Sequence, residues 1–129
     1  MRPIIVTNEK VQREYPNLST LEKLAKDNPD QVFHAYKLVR KNNREGMYFG
    51  KVKYLVGKTV RVVRFDNDPM RDCGRGLNLA TNDWCKFAKS KKHIMKIKVS
   101  FLGKNLVCVP FTSETNVGKF RVKRCTVLT

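Results

Sequence analysis

The 129-residue sequence predicts an α+β fold: a single domain built on a mostly antiparallel sheet, with an N-terminal helix and one helix after a Cys-Gly-Arg-Gly loop. Three observations predict it. The length, with 41% hydrophobic residues, suits one domain with its own core. From Val32 onward, short runs alternate apolar with polar residues, the period of half-buried strands. The segments joining those runs are too short for the crossovers that parallel strands require.

The elements follow in order. Ser19 or Thr20 is placed to cap a short helix, Glu22 falls in its first turn, and Leu21, Leu24 and Ala25 repeat at helical spacing before Asn28-Pro29 ends it. Leu18, Leu21 and Leu24 are expected to brace the sheet. Val32–Arg40, rich in β-branched and aromatic residues, reads as a strand. Residues 42–46 supply a turn, residues 47–55 a second strand, and residues 58–65 a third after Gly57. Residues 66–76 form a loop, because Asp66, Asn67, Asp68, Pro69 and two glycines favour turns. Leu77–Ala80 is a strand. Residues 82–89 suit a helix capped by Thr81 or Asn82, with Trp84, Phe87 and Ala88 on one side. Met95, Ile97, Val99 and Phe101 alternate with Lys96, Lys98 and Ser100, a strand with one wet face. Gly103-Lys104-Asn105 turns the chain, residues 106–109 return as the partner strand, and residues 120–128 close the domain as one more.

Charge divides the chain. Of 27 Lys+Arg and 11 Asp+Glu, residues 1–31 hold five of each, so this N-terminal bracing segment is neutral and residues 32–129, the basic α+β domain, carry the whole +16. Self-repulsion of that size points to an acidic partner. The period of two turns the count into faces: Lys51 and Lys53 share one, Lys96 and Lys98 another, and Lys119, Arg121 and Lys123 a third. Residues 86–104 contain seven lysines and no Asp or Glu, so no local ion pair neutralises them. Tyr48 and Tyr54, interleaved with these charges, are expected to be exposed and to stack on unpaired bases while the lysines follow a phosphate backbone. In Cys73-Gly74-Arg75-Gly76-Leu77 the two glycines could draw backbone N–H groups around an anion beside the Arg75 guanidinium, or could serve only a tight turn into the next strand.

Other chemistry is poorly represented. Cys73, Cys85, Cys108 and Cys125 are separated by 11, 22 and 16 intervening residues, which excludes a Cys-x-x-Cys site and suggests reduced core thiols; His34 and His93 have no companion at ligand spacing. Asp66, Asp68 and Asp72 share a loop whose turns account for them. No nucleophile elbow, zinc-helix motif or phosphate-loop signature occurs, and Glu114 has no nameable catalytic partner, so no catalytic residue, metal or cofactor is expected. No run of 18 apolar residues and no secretory signal is found, which predicts a cytoplasmic protein with no membrane partner.

Ala35-Tyr36-Lys37-Leu38-Val39, Tyr54-Leu55-Val56-Gly57 and residues 73–81, together with Lys119-Phe120-Arg121, resemble a family of small bacteriophage-encoded domains of unknown function. The resemblance covers about residues 32–129. Its distinctive element is Cys-Gly-x-Gly-Leu; Asn78 stands where that family often has His, and Phe120 where it often has Cys. It implies a viral origin, hence the host cytoplasm, and supplies no activity. There is also a remote similarity to ADP-ribosyltransferase-like folds, in which a glycine-rich strand follows a loop and precedes a helix; Leu77-Asn78-Leu79 lacks the aromatic residue usual there.

The expected function is therefore non-enzymatic binding of single-stranded nucleic acid, with RNA favoured, through Tyr48, Lys51, Lys53, Tyr54, Arg75, Lys96, Lys98, Lys119, Arg121 and Lys123. The alternatives are a viral effector that binds an acidic host protein surface, and an ADP-ribosyl or nucleotide-handling enzyme.

Overall fold

The Ser19 hydroxyl accepts a hydrogen bond from the Glu22 N–H, and the Glu22 carboxylate accepts one from the Ser19 N–H, a capping box that starts helix α1 (Thr20–Asp27) where its orphan donors need partners. The structure is a computed structural model, and it describes residues 2–14, 16–46, 52–71, 74–88, 92–111 and 117–129. Leu21 and Ala25 point from α1 into the main core, with Leu24 packed at its edge. Leu18 does not brace the sheet: it is 39% exposed, because it precedes the cap and lies off the helix's apolar stripe.

Eight strands are present among the described residues: β1 (Ile4–Ile5), β2 (Val32–Arg40), β3 (Thr59–Arg61), β4 (Leu77–Ala80), β5 (Ile94–Leu102), β6 (Leu106–Cys108), β7 (Lys119–Val122) and β8 (Arg124–Val127). They form one sheet in the order β3-β8-β5-β2-β4-β7-β6, and β1 pairs beside β2. Every pairing is antiparallel except β1 with β2. The protein is thus α+β, as its sequence predicts, with helix α2 (Asn82–Ala88) after the glycine loop.

The closing segment departs from the sequence reading. It is two strands, β7 and β8, separated by Lys123 alone, and they occupy distant places in the strand order. One residue cannot span a flat sheet across three intervening strands, given a spacing of roughly 4.8 Å per strand. The sheet therefore curls until its two ends meet at Lys123, where the main chain bonds to both: the Lys123 N–H donates to Asn105 O, and Val62 N–H donates to Lys123 O. The expected partnership of residues 106–109 with β5 is replaced accordingly, since β6 pairs with β7. The third expected strand shortens to Thr59–Arg61. Of the expected strand at 47–55, residues 47–51 lie outside the described residues, and Lys53 forms only an isolated bridge with Glu45.

The concave side of this curl holds the core. Phe33, Ala35, Val39, Leu77, Leu79, Ile97, Val99, Phe120 and Val122 meet Val6, Val11 and Leu21 there. Residues 1–31 thus share one core with the basic part of the chain. A second, smaller cluster of Leu38, Ala80, Cys85 and Ile94 lies under α2 on the other face. Thr81 caps that helix by accepting the Trp84 N–H at 3.1 Å. Cys85, Cys108 and Cys125 are buried and unpaired, while Cys73 lies outside the described residues. Burial pushes the Cys85 thiol up to about 11 and the Cys125 thiol up to about 12.

Candidate functional site: a cationic cleft where the sheet opens

Strands β2 and β4 pair only at Tyr36 and Ala80. Beyond that point β2 turns its edge to the 42–46 turn instead, through the Val39–Gly46 bridge and the Arg40 N–H bond to Glu45 O. Arg44, with φ of 57°, bends the chain back so that this is possible. The ladder between β2 and β4 is left open, and the Lys37 ammonium crosses the gap to donate to Asn78 O at 2.7 Å. Lys37 also lies 5.1 Å from the centre of the Tyr54 ring.

The opening is a cleft of about 500 Å³. Leu77, Leu79, Tyr54 and Trp84 give it an apolar and aromatic lining, and five cationic side chains reach it: Lys37, Arg64, Arg71, Arg75 and Lys119. No carboxylate lines it among the described residues. A second, more open depression adjoins it and shares Arg64, Arg71 and Arg75. Arg71 pairs with Asp66 at 3.1 Å and lies 3.8 Å from Asp68, whereas Arg64 and Arg75 are exposed and form no ion pair among the described residues. The Asn78 side chain donates to Gly74 O at 3.1 Å, but its Oδ1 is buried with no donor among the described residues. An unsatisfied buried acceptor costs about 1–3 kcal/mol.

The glycines of the loop serve backbone geometry. A Cβ on Gly74 would lie 2.9 Å from Asp66 Cβ, and Gly76 has φ of 137°. They let residues 74–76 lie against the 66–71 loop, where Arg75 O accepts the Asp66 N–H at 2.7 Å. The Arg75 side chain is thereby presented at the rim of the cleft.

The sequence-derived site residues are distributed unevenly. Tyr54, Arg75 and Lys119 line the cleft. Tyr54 is 3% exposed, however, so it is a wall of the cleft and not a free stacking platform; Lys37 and the surrounding core enclose its ring. Burial raises its phenol pKa.

Lys98, Tyr36, Ala80 and Lys119 are consecutive cross-strand partners on one face of the sheet. That row spans roughly 14 Å. Lys96 sits beside it, 5.2 Å from the centre of the Tyr36 ring and hydrogen-bonded to Asn82. Burial, with Lys98 adding to it, lowers the pKa of His34 on the same face. Lys119 lies 5.5 Å from the centre of the Trp84 ring, where the row meets the cleft. Lys123 lies 5.7 Å over Phe65, outside the cleft lining, and Lys53 is exposed. Tyr48 and Lys51 lie outside the described residues.

Arg121 corrects the face assigned to the last strand. It is fully buried, and its guanidinium donates to Asp66 O at 2.8 Å, to Asp68 O at 2.7 Å and to Arg71 O, and contacts Cys108 Sγ. Strand parity places it with Lys119, but the 66–71 loop folds over it and takes its donors. Arg121 builds the loop that carries Arg71 and cannot reach a phosphate.

No protein family, curated protein or solved structure matches the chain. Its chemistry rests on its own residues. Sequence reasoning missed Lys37, Arg64, Arg71, Asn78 and Trp84 as parts of this site. Lys37 carried a signal: it interrupts the apolar face Phe33, Ala35, Val39 at a core-facing position. Arg64 carried none. Among the described residues no cluster of His, Cys, Asp and Glu could hold a metal ion, and no helix is long and apolar enough to cross a membrane.

Proposed function

We propose that this protein binds single-stranded nucleic acid, with RNA preferred, and performs no chemistry on it. The observation that carries this reading is the cleft: cationic side chains surround an apolar, aromatic lining that no carboxylate of the described residues interrupts. A nucleotide has that composition in reverse, an anionic backbone joined to a planar ring. The row from Lys98 to Lys119 supports the reading, because it extends positive charge from the cleft across the sheet face, where a strand's phosphates could follow. Unpaired bases, which RNA loops and ends present, are free to leave their stack for such a cleft.

Fluorescence anisotropy of a labelled mixed-sequence single-stranded RNA, repeated at several salt concentrations and against duplex RNA and single-stranded DNA, tests the proposal. Affinity should fall steeply with salt as counterions are released, and single-stranded RNA should bind most tightly. A flat salt response removes the electrostatic basis. An acidic protein surface is the second reading, and it is favoured by the exposure of Val63 at 88% and Met70 at 70% beside Arg64 and Arg71. Co-purification of a protein that survives nuclease treatment would favour it.

A further inference from the structure

We propose that the cleft between β2 and β4 seats one nucleotide unit, its base donating an N–H to Asn78 Oδ1 and its phosphate held between Arg64 and Arg75. This inference rests on the nucleic-acid-binding reading and goes further by naming a subsite and what each residue contributes there. Two independent observations carry it. The first is the opening in the sheet, about 500 Å³ in volume, within the range of small-molecule sites. The second is the Oδ1 of the lining residue Asn78, a buried acceptor with no donor among the described residues. Buried polar atoms in folded proteins are nearly always partnered, so an oxygen without a donor on a residue that lines an open cavity marks a place for a ligand donor, which it meets when the Asn78 side chain turns from its closed position toward the cleft.

The arrangement sorts the ligand's parts. Trp84 offers aromatic surface to a planar ring, and Leu77 and Leu79 exclude water around it. Arg64 and Arg75 lie on the lining of both adjoining depressions, and Arg71 pairs with the Asp66 and Asp68 carboxylates that also line the outer one, so an anion held by Arg64 and Arg75 sits at the mouth of the cleft and not in its apolar depth. Lys37 is already committed to Asn78 O, which leaves it as a fixed positive wall. A nucleotide is the ligand class that presents a flat ring with N–H donors at one end and a phosphate at the other. The same unit could be a free nucleoside monophosphate or one residue of a strand.

Trp84 is the chain's single tryptophan and lies on the lining, so its emission reports occupancy directly. The full chain is titrated with AMP, with purine riboside 5′-monophosphate, whose base has no N–H donor, with inorganic phosphate and with single-stranded oligoadenylate. AMP should change the emission saturably and bind several-fold tighter than the purine riboside analogue, the discrimination expected of one hydrogen bond. Arg75→Ala should weaken AMP by about tenfold, as loss of a charge-assisted bond predicts. Asn78→Leu should abolish the preference for AMP over the analogue. If Asn78→Leu fails to fold, Arg75→Ala and the wild-type comparison of the two nucleotides decide.

RNA binding with no response of Trp84 to AMP overturns the subsite and leaves the strand reading in place. So does AMP binding that equals that of the analogue and is indifferent to Arg75→Ala. AMP binding that obeys the predicted pattern without any binding of RNA supports the subsite, assigns it to free nucleotides and overturns the strand reading. Competition between AMP and RNA supports both and assigns the subsite to a nucleotide of the strand. Failure of both ligands to bind overturns both.

Discussion

Arg121 Nε donates to the main-chain oxygen of Asp66 at 2.8 Å, and this bond joins strand β7 to a loop 55 residues earlier in the chain. The same guanidinium reaches the carbonyls of Asp68 and Arg71, so a single buried cation closes the 66–71 loop. Arg121→Ala would strip donors from three carbonyls at once and should cost on the order of 3 kcal/mol or more. Arg121→Lys should recover little, because an ammonium lacks the planar fork that serves three acceptors. Urea unfolding of both variants checks this. An Arg121→Ala chain with wild-type stability and weakened RNA binding would return Arg121 to the phosphate-binding surface.

The same loop carries a pH dependence. The Asp66 carboxylate accepts the Asp68 N–H at 2.8 Å and the Arg71 guanidinium at 3.1 Å. The Asp68 N–H does most to hold the Asp66 pKa below the ordinary range; desolvation opposes it, and the positive charges of Arg71 and Arg121 add to the lowering. A folded pKa below the unfolded one, near 4 for a free aspartate, means that this contribution is fully present above about pH 4. It is lost as pH falls through the depressed folded value. Asp66→Asn should therefore lower stability at pH 7 and flatten the acid limb of the stability curve below about pH 4. Urea midpoints measured for both proteins from pH 7 downward would show the two curves converging in acid; parallel curves would remove Asp66 from the linkage.

Lys96 and Lys98 stand on the outer face of β5, so their neutralisation separates binding from folding. Lys96→Gln with Lys98→Gln should leave the melting temperature within a degree or two, since an exposed lysine and a half-buried one on a strand's outer face, neither in an ion pair among the described residues, contribute little to stability. Single-stranded RNA should bind more weakly and with a shallower salt slope, by about 0.7 for each phosphate contact removed. Loss of melting temperature together with binding would make these lysines structural.

How far the sequence discloses this protein depends on the range of the interaction concerned. The capping box at Ser19 and Glu22 and the alternation from Met95 to Phe101 are local, and both are legible. The break at Lys123 is not, because neither glycine nor proline marks it and the curl that requires it is a property of the whole sheet. Arg121 shows the same limit: parity assigns a residue to a face, but a loop from elsewhere in the chain decides whether that face meets water. The cleft exists because β2 trades β4 for the 42–46 turn after Tyr36, a choice of register that no local pattern encodes.

Leu21 and Leu18 lie three residues apart and should respond oppositely to truncation. Leu21 is fully buried on the inner face of α1, against the core that also holds Phe33 and Phe101, while Leu18 is 39% exposed ahead of the capping residue. Leu21→Ala removes buried methyl groups and leaves a cavity, which should cost about 2–5 kcal/mol. Leu18→Ala should stay within about 0.5 kcal/mol, as surface substitutions do. The helix itself is eight residues long, too short to persist without the sheet, so the loss of Leu21 packing should also release α1 as a unit. Hydrogen exchange of the α1 amides, measured beside urea unfolding, distinguishes that local release from global loosening. Equal costs for the two leucines would mean that the N-terminal segment rests on the sheet without contributing to its core.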